Sequence, residues 1–234
     1  MALKKQDELK RAAAHRAVEL VESGMIVGLG TGSTTSFAVI RIAERIKSGD
    51  LKDIVGIPTS IRTEKLARDL NIPLATLDEQ AQIDVTIDGA DEVDPQLNLI
   101  KGGGGALLRE KVVAQASRAN IIIVDESKLS ECLGTRWALP VEVIPFAAQT
   151  ETNFLQSLGA SVRVRSTGKG QPYTTDQNNY ILDANFGAMS DPAAVAAELN
   201  ERAGIIEHGL FLGLASEVIV AAEDGIRHLQ RKSK

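Results

Sequence analysis

The sequence predicts an open, doubly wound α/β protein with a mainly parallel sheet and a smaller α+β insertion. Two observations lead to this prediction. Over the first half of the chain, short apolar runs alternate with stretches of helical periodicity, a pattern typical of parallel strands covered by helices on both faces. After about residue 132 the order changes to strand, helix, two hairpin strands, helix and strand, which is typical of a small α+β sandwich.

The first half is built from repeated strand, loop and helix units. Apolar residues at helical spacing predict a first helix over 7–23, which Gly24 ends. The elements predicted next are a strand at 25–30, a helix to about 47, a strand at 54–57, a helix at 61–70, a strand at 83–87, a helix that begins near 106 and a strand at 119–124.

The second half predicts the inserted domain. Its predicted elements are strands at 138–144, 161–165, 180–184 and 204–211, with helices at 148–158 and 191–202. A final buried strand at 216–221 returns to the first sheet. We therefore assign residues 1–131 and 206–234 to the first domain and residues 132–205 to the insertion. His15 and His228 are predicted to lie on terminal helices, and the three histidines share no metal-ligand spacing.

Composition excludes several classes of protein. The chain has 234 residues, 44% of them hydrophobic and 24% charged, and its net charge is -5, so it offers no broad attraction to nucleic acid or anionic membranes. No apolar run is long enough for a membrane span or a signal peptide. The single cysteine, Cys132, excludes an internal disulfide and a cysteine-rich zinc site. We expect a cytoplasmic protein without nucleic-acid or membrane partners.

Lys101 is followed by four glycines and then by a predicted helix that contains Glu110. Glycines are unfavourable inside helices and strands, so this run indicates a loop whose backbone amides lie against a ligand. The helix dipole with Arg109 and Lys111 favours the ionised form of Glu110, whereas burial favours the protonated form. Glu110 is thus a candidate base. The alternative is a flexible linker before a solvated, charged helix.

The segment at 28–34, GLGTGST, follows a strand and opens a helix. It matches neither the dinucleotide fingerprint nor the Walker loop. Its amides and hydroxyl groups suit a small phosphate monoester at a helix N-terminus. The alternative is a tight turn without a ligand.

Asp88 and Asp91 follow the predicted strand at 83–87. They could bind magnesium, although neighbouring lysines and the lack of a clear third ligand weaken that reading. They could also bind sugar hydroxyls and move protons, or simply cap a turn. Lys101 and Lys128 also follow strands, and either could neutralise a phosphate or an oxyanion. Since ligands bind at the carboxyl ends of parallel strands, we expect these motifs to face one crevice.

Several of these motifs together resemble the type A family of ribose-5-phosphate isomerases. The resemblance rests on GLGTGST at 28–34, TIDGADE at 86–92, KGGGGALLREK at 101–111, DESK at 125–128, LPVEVIP at 139–145 and GLF at 209–211. It implies a Rossmann-like domain with a ferredoxin-like insertion. It also implies interconversion of ribose 5-phosphate and ribulose 5-phosphate in the pentose phosphate pathway, with no metal or organic cofactor, by a homodimer or a dimer of dimers.

The same resemblance implies a role for each matching residue. Glu110 would be the proton acceptor. The chemistry of isomerisation needs only this single base, with donors for the enediolate oxygens that Lys101 and the glycine amides could supply. Ring opening also needs acid-base assistance, for which Asp88 is the first choice and Asp91 the second. The implied substrate-binding residues are Thr31, Gly32, Ser33, Thr34, Asp88, Gly89, Ala90, Asp91, Lys101, Gly102, Gly103, Gly104 and Lys128. Two alternatives remain open: a non-catalytic sugar-phosphate sensor and an acyl-CoA transferase-like enzyme with a glutamate nucleophile.

Overall fold

The computed structural model describes residues 2–168 and 170–231, with side chains from residue 6 onward. The chain divides into two compact units. The first consists of Met1–Ala90, Arg109–Lys128 and Leu214–Lys234, and the second consists of Asp91–Leu108 and Leu129–Gly213. The predicted insertion, 132–205, lies inside the second unit.

The second unit is wider than that insertion because a small sheet draws further segments into it. This sheet pairs β4 (Glu92–Val93), β5 (Leu99–Ile100) and β11 (Leu210–Phe211). The predicted domain boundaries assigned the residues of all three strands to the first domain, although the predicted strand at 204–211 crosses one of those boundaries. That the ranges predicted from the sequence fold as separate domains stays a prediction.

The first unit contains a six-stranded sheet that is parallel except for one edge strand. From edge to edge it consists of β13 (Gly225–Gln230), β12 (Glu217–Ala222), β6 (Ser117–Asp125), β3 (Ile83–Asp88), β1 (Ile26–Leu29) and β2 (Val55–Pro58). Only the pairing of β12 with β13 is antiparallel. The predicted fold class, a mixed α/β protein with a mainly parallel central sheet, is confirmed.

Helices cover both faces of this sheet. They are α1 (Ala2–Val18), α2 (Ser33–Ser48), α3 (Ile61–Asp69) and α4 (Leu107–Gln115). Alternate strand residues such as Leu29 and Ile87 form one core with apolar residues of α1 and α2. On the other face Val113 of α4 packs with Ile57 and Ile83. No helix in the described part of the chain has the length and hydropathy that a membrane span needs.

Two terminal elements differ from their predictions. The first helix ends at Val18 rather than near residue 23; Val21, whose spacing suggested a longer helix, is buried in the turn that follows. His228 lies on strand β13, not on a helix. Ala222 pairs with Gly225 across a two-residue turn formed by Glu223 and Asp224, so the chain returns as an antiparallel edge strand.

The second unit contains a four-stranded antiparallel sheet with the ferredoxin-like order. The strands lie in the order β10 (Ile205–His208), β7 (Leu139–Val143), β9 (Tyr180–Asn185) and β8 (Ser161–Val164). Helices α5 (Ala148–Ser157) and α6 (Pro192–Asn200) form the connections between β7 and β8 and between β9 and β10. Leu139, Val141 and Val143 pack with residues of both helices in one core.

Candidate active site

The loop between β1 and α2, residues 30–32 and called here the threonine loop, lies at the carboxyl edge of the parallel sheet. The Thr31 amide donates a hydrogen bond to Oδ1 of Asp88, the last residue of β3, at 3.1 Å. A Cβ atom on Gly30 would lie 2.3 Å from that same oxygen, so the approach requires glycine. Two motifs that are far apart in sequence therefore meet at adjacent strand ends.

The side chain of Thr31 lies within a buried group of hydroxyls, called here the hydroxyl cluster: Thr31, Thr59, Ser60 and Thr63. Thr31 Oγ1 lies 2.8 Å from Thr59 Oγ1, 2.7 Å from Ser60 Oγ and 3.1 Å from Thr63 Oγ1. Thr63 Oγ1 also donates to the Gly30 carbonyl at 3.0 Å. The cluster anchors the threonine loop to the start of α3, and contact between Thr31 and a substrate stays a prediction.

The threonine loop ends at the N-terminus of α2, a helix of 16 residues. Gly32 precedes the helix with φ 138° and provides no side-chain cap. Ser33 is exposed, Thr34 is half-buried, and Lys10 Nζ donates to Ser33 Oγ at 3.1 Å. The positive end of the helix dipole, two hydroxyl groups and one ammonium group therefore lie close together, which is an arrangement that favours an anion.

Asp88 is buried, with 3% of its surface exposed. Its Oδ1 accepts hydrogen bonds from the Thr31 amide and, at 2.7 Å, from the Gly89 amide. Gly89 and Ala90 are half-buried. Two amides from different strand ends thus fix the orientation of this carboxylate, and its contact with a substrate stays a prediction.

Glu110 and Lys128 are the other predicted residues of the first unit. Glu110 lies in the first turn of α4 and is 3% exposed, a position where the helix dipole favours a carboxylate. Lys128 is half-buried at the end of a short 3-10 helix, Glu126–Lys128, which directly follows β6. Lys128 therefore lies beyond the carboxyl end of a sheet strand, as predicted from its motif.

In the second unit, residues 101–105 form the predicted glycine loop. The Gly103 amide donates to Asp91 Oδ2 at 2.7 Å, and the Gly105 amide donates to the Gly102 carbonyl at 3.0 Å. The Lys101 side chain is buried, and its Nζ lies 5.4 Å from the centroid of the Phe211 ring, within the range of a cation–π interaction. Asp91, Lys101 and the glycines thus form one contiguous group.

Glu92 has a structural function that the sequence analysis missed. It is completely buried, and its two carboxylate oxygens accept hydrogen bonds from Ser130 Oγ and from the amides of Gly134, Arg136 and Trp137. Three of these four donors are backbone amides, which carry no sequence signal. The neighbour of Asp91 therefore holds the loop that leads to β7.

Arg165 was also missed, because Arg163 and Arg165 were interpreted only as a half-exposed strand. Arg165 contacts the glycine loop through the carbonyl groups of Gly102 and Gly103. Tyr173 lies against Gly105, where an added Cβ atom would be 2.3 Å from its hydroxyl oxygen. An alternating pattern can indicate that one face of a strand is polar, but it cannot show which loop the side chains on that face contact.

The predicted residues therefore form two groups, one in each compact unit. The first group consists of Thr31, Gly32, Ser33, Thr34, Asp88, Gly89, Ala90, Glu110 and Lys128. The second group consists of Asp91, Lys101, Gly102, Gly103 and Gly104. That both groups serve one substrate stays a prediction. Within the described ranges, no three His, Cys, Asp or Glu side chains are grouped as a metal site would require.

Comparison with known proteins identifies the family. The model of the family described as ribose 5-phosphate isomerase A (phosphoriboisomerase A) matches residues 55–225. Ribose-5-phosphate isomerase A of Desulfatibacillum aliphaticivorans is 63% identical over 225 residues, which cover 96% of this chain and 98% of that protein. Its counterpart in Chloroflexus aurantiacus is 59% identical over 220 residues, covering 94% of this chain and 92% of the relative.

A solved structure agrees with these sequence relationships. A D-ribose-5-phosphate isomerase in complex with phospho-erythronic acid superimposes with a TM-score of 0.94 and 43% sequence identity, covering 96% of this chain and 98% of that chain. Agreement of sequence and fold over nearly the whole length leaves no large segment unmatched. The chain belongs to the ribose 5-phosphate isomerase A family.

Proposed function

We propose that this protein interconverts D-ribose 5-phosphate and D-ribulose 5-phosphate. The observation that carries the proposal is the 63% identity to a ribose-5-phosphate isomerase A over 96% of the chain. The related structure that binds phospho-erythronic acid supports a phosphorylated sugar as the substrate class. The motifs at the strand ends, each with anion-binding or proton-transfer groups, agree with this chemistry.

The reaction moves a proton between carbon 2 and carbon 1 through a planar enediolate, so one carboxylate base suffices. We assign this base to Glu110. Its burial and its position in the first turn of α4 support the assignment, since a buried carboxylate is shielded from bulk water and the helix dipole favours its ionised form.

The developing enediolate oxygens need hydrogen-bond donors that are already in place. We assign this function to Lys101 and the amides of the glycine loop, which Asp91 orients through the Gly103 amide. Opening of the furanose ring needs acid-base assistance, which we assign first to Asp88 and second to Asp91. Both aspartates accept a hydrogen bond from a loop amide, which gives each carboxylate a fixed orientation.

The phosphate group binds far from the reacting carbons and orients the substrate. We assign phosphate binding to the N-terminus of α2 with Ser33 and Thr34, supported by Lys128. The 16-residue helix and the Lys10 ammonium group beside Ser33 provide positive potential there.

We further propose that the enzyme is cytoplasmic, serves the pentose phosphate pathway, needs no metal or organic cofactor and forms a dimer or a dimer of dimers.

The test compares wild type with Glu110→Gln after treatment of both with EDTA. We expect wild type to convert ribose 5-phosphate to ribulose 5-phosphate, and the variant to have a kcat at least about 10²-fold lower, since it lacks the base. Glu64→Gln is the matched control, because Glu64 lies in the first turn of another helix of nine residues and pairs with Arg68. Circular dichroism confirms folding of all three proteins.

Each outcome is distinct. Normal turnover by the Glu110→Gln variant would exclude Glu110 as the base while leaving the activity intact. Wild type that binds the sugar phosphate without converting it would be a sensor rather than an enzyme. Loss of activity in EDTA that returns with added Mg²⁺ would overturn the metal-free mechanism.

A further inference from the structure

We propose that Arg165 is a positioning residue, which together with Asp183 fixes the orientation of one peptide group in the glycine loop and, through it, the carboxylate of Asp91. Arg165 directly follows β8, and Asp183 lies on the neighbouring strand β9. Neither residue belongs to the groups described above as candidate catalytic or binding residues. The inference rests on the proposed function for its consequences in catalysis.

Asp183 holds the guanidinium group of Arg165 in a two-point interaction. Arg165 Nε donates to Asp183 Oδ2 at 3.0 Å, and Nη2 donates to Asp183 Oδ1. Such paired contacts fix the plane of the guanidinium as well as its distance. The side chains are only 15% and 26% exposed, so solvent competes weakly with these bonds. The third nitrogen, Nη1, is thereby aimed in a defined direction.

That nitrogen contacts the backbone of the glycine loop. Nη1 donates to the Gly102 carbonyl at 2.7 Å and to the Gly103 carbonyl at 3.2 Å. The Gly102 carbonyl belongs to the same peptide group as the Gly103 amide, which donates to Asp91 Oδ2 at 2.7 Å. One peptide dipole is therefore held between a guanidinium group at its oxygen and a carboxylate at its amide hydrogen.

A glycine loop needs such external contacts. Gly102 has φ +100°, a conformation that glycine adopts readily but does not enforce, because neighbouring glycines rotate with few steric limits. Rotation of the peptide between Gly102 and Gly103 would break the contacts with Arg165 and Asp91 together. The geometry therefore couples the guanidinium group to the carboxylate that the proposed function places at the sugar.

The direct test measures kcat, KM and backbone amide exchange for Arg165→Gln, Arg165→Lys and Asp183→Asn. Arg163→Gln is the matched control, since Arg163 is exposed, lies on β8 and precedes Arg165 by two residues. For Arg165→Gln we expect kcat to fall by about 10- to 100-fold, with a smaller change in KM, because a small displacement of a reacting group lowers turnover strongly.

The other variants separate positioning from general stability. Arg165→Lys retains the charge but not the fork, so it should recover only part of the lost kcat. Asp183→Asn should reduce kcat less than Arg165→Gln does. Hydrogen exchange of the Gly103 and Gly105 amides, monitored by NMR, should be faster in Arg165→Gln than in wild type. In Arg163→Gln it should remain at the wild-type rate.

Two results would overturn the proposal. Unchanged exchange at Gly103 in both Arg165 variants would show that Arg165 does not hold the loop. Faster exchange with a kcat equal to that of Arg163→Gln would show that the contact has no part in catalysis. If the proposed function is wrong, wild type itself will be inactive. The hydrogen-exchange measurement still tests the contact between Arg165 and the glycine loop in that case.

Discussion

The threonine loop and the glycine loop are held in opposite ways. The threonine loop is anchored by one of its own side chains, since Thr31 enters the hydroxyl cluster with Thr59, Ser60 and Thr63. The glycine loop has no side chains between residues 102 and 105, and charged groups outside it hold its backbone: Asp91 contacts an amide and Arg165 contacts two carbonyls.

This difference shows how the backbone of a loop without side chains can be held in a defined position by residues outside the loop. A loop that presents amides to a ligand cannot also use bulky side chains for anchoring, because a Cβ atom would occupy the space that the ligand or a neighbour needs. Its positioning must then come from charged residues elsewhere in the unit. We expect substitutions in the glycine loop to affect turnover and substitutions in the hydroxyl cluster to affect stability.

The largest effect should come from Gly103→Ala. Its Cβ atom would lie 2.6 Å from Asp91 Oδ1, so the carboxylate or the loop must move. We expect kcat to fall by about 10²-fold, which corresponds to about 2.7 kcal/mol of transition-state stabilisation, with little change in urea unfolding. Gly168→Ala is the control, because an added Cβ atom there meets no neighbour within 4 Å. Turnover of Gly103→Ala equal to that of this control would contradict the comparison.

A smaller effect, on stability, is expected from Thr31→Val. Valine has nearly the same shape but lacks the hydroxyl, so Thr59, Ser60 and Thr63 lose a common hydrogen-bond partner in a buried site. We expect the free energy of unfolding to fall by about 1–3 kcal/mol, measured by urea denaturation. Thr31→Ser, which keeps the hydroxyl, should retain most of the stability. A raised KM with unchanged stability would instead show that the hydroxyl faces the substrate.

A third contrast concerns pH, because a carboxylate anchor titrates whereas a hydroxyl anchor does not. Glu142 on β7 is completely buried, and its Oε1 accepts hydrogen bonds from Thr175 and Asn179. Its Oε2 makes no hydrogen bond to the described part of the chain. Burial raises the pKa of Glu142 above the usual 4.5, opposed by the two hydrogen bonds and reinforced by Glu207 and Asp176.

The raised pKa sets the sign of the pH dependence. The folded protein binds the proton more tightly than the unfolded chain, so the contribution of Glu142 to stability is complete below about pH 4.5 and is lost as pH rises through the raised pKa. Relative to Glu142→Gln, the unfolding free energy of wild type should therefore fall as the pH rises from 4 through the raised pKa. If the unfolding free energies of wild type and Glu142→Gln, measured in urea, change by the same amount with pH, the prediction is refuted. Glu198→Gln is the control, because Glu198 is exposed.

Most of the fold was predictable because its strands and helices carry recognisable apolar patterns. The strands of the parallel sheet were predicted within a few residues of their observed limits, since β1, β6 and β12 contain continuous apolar runs and β3 has apolar residues at every second position. The edge strand β13 was missed, because its residues are largely exposed and carry no burial pattern. The short strands β4 and β5 were missed because two residues are too few for any period.

The candidate site was predictable where polar residues directly follow strands. The pairing of the threonine loop with Asp88 follows from the adjacency of β1 and β3. The contact of Arg165 was not predictable, because its position after β8 indicates only that this end of the strand is polar. Its contact with the Gly102 carbonyl joins residues 63 positions apart, and no local pattern records such a pair.

The sequence by itself determined the strand and helix order, the polar motifs at the strand ends and the glycine loop, because these depend on local periodicity and on the conformations that each residue permits. The tertiary structure alone decided which partner each buried polar atom has. Thr31 joins hydroxyls about 30 positions away, Glu92 holds amides about 40 positions away, and Arg165 holds the glycine loop. Most buried donors and acceptors are satisfied by whatever group the fold brings near. Backbone amides and carbonyls are present in nearly every residue, so the sequence does not mark the ones that are used.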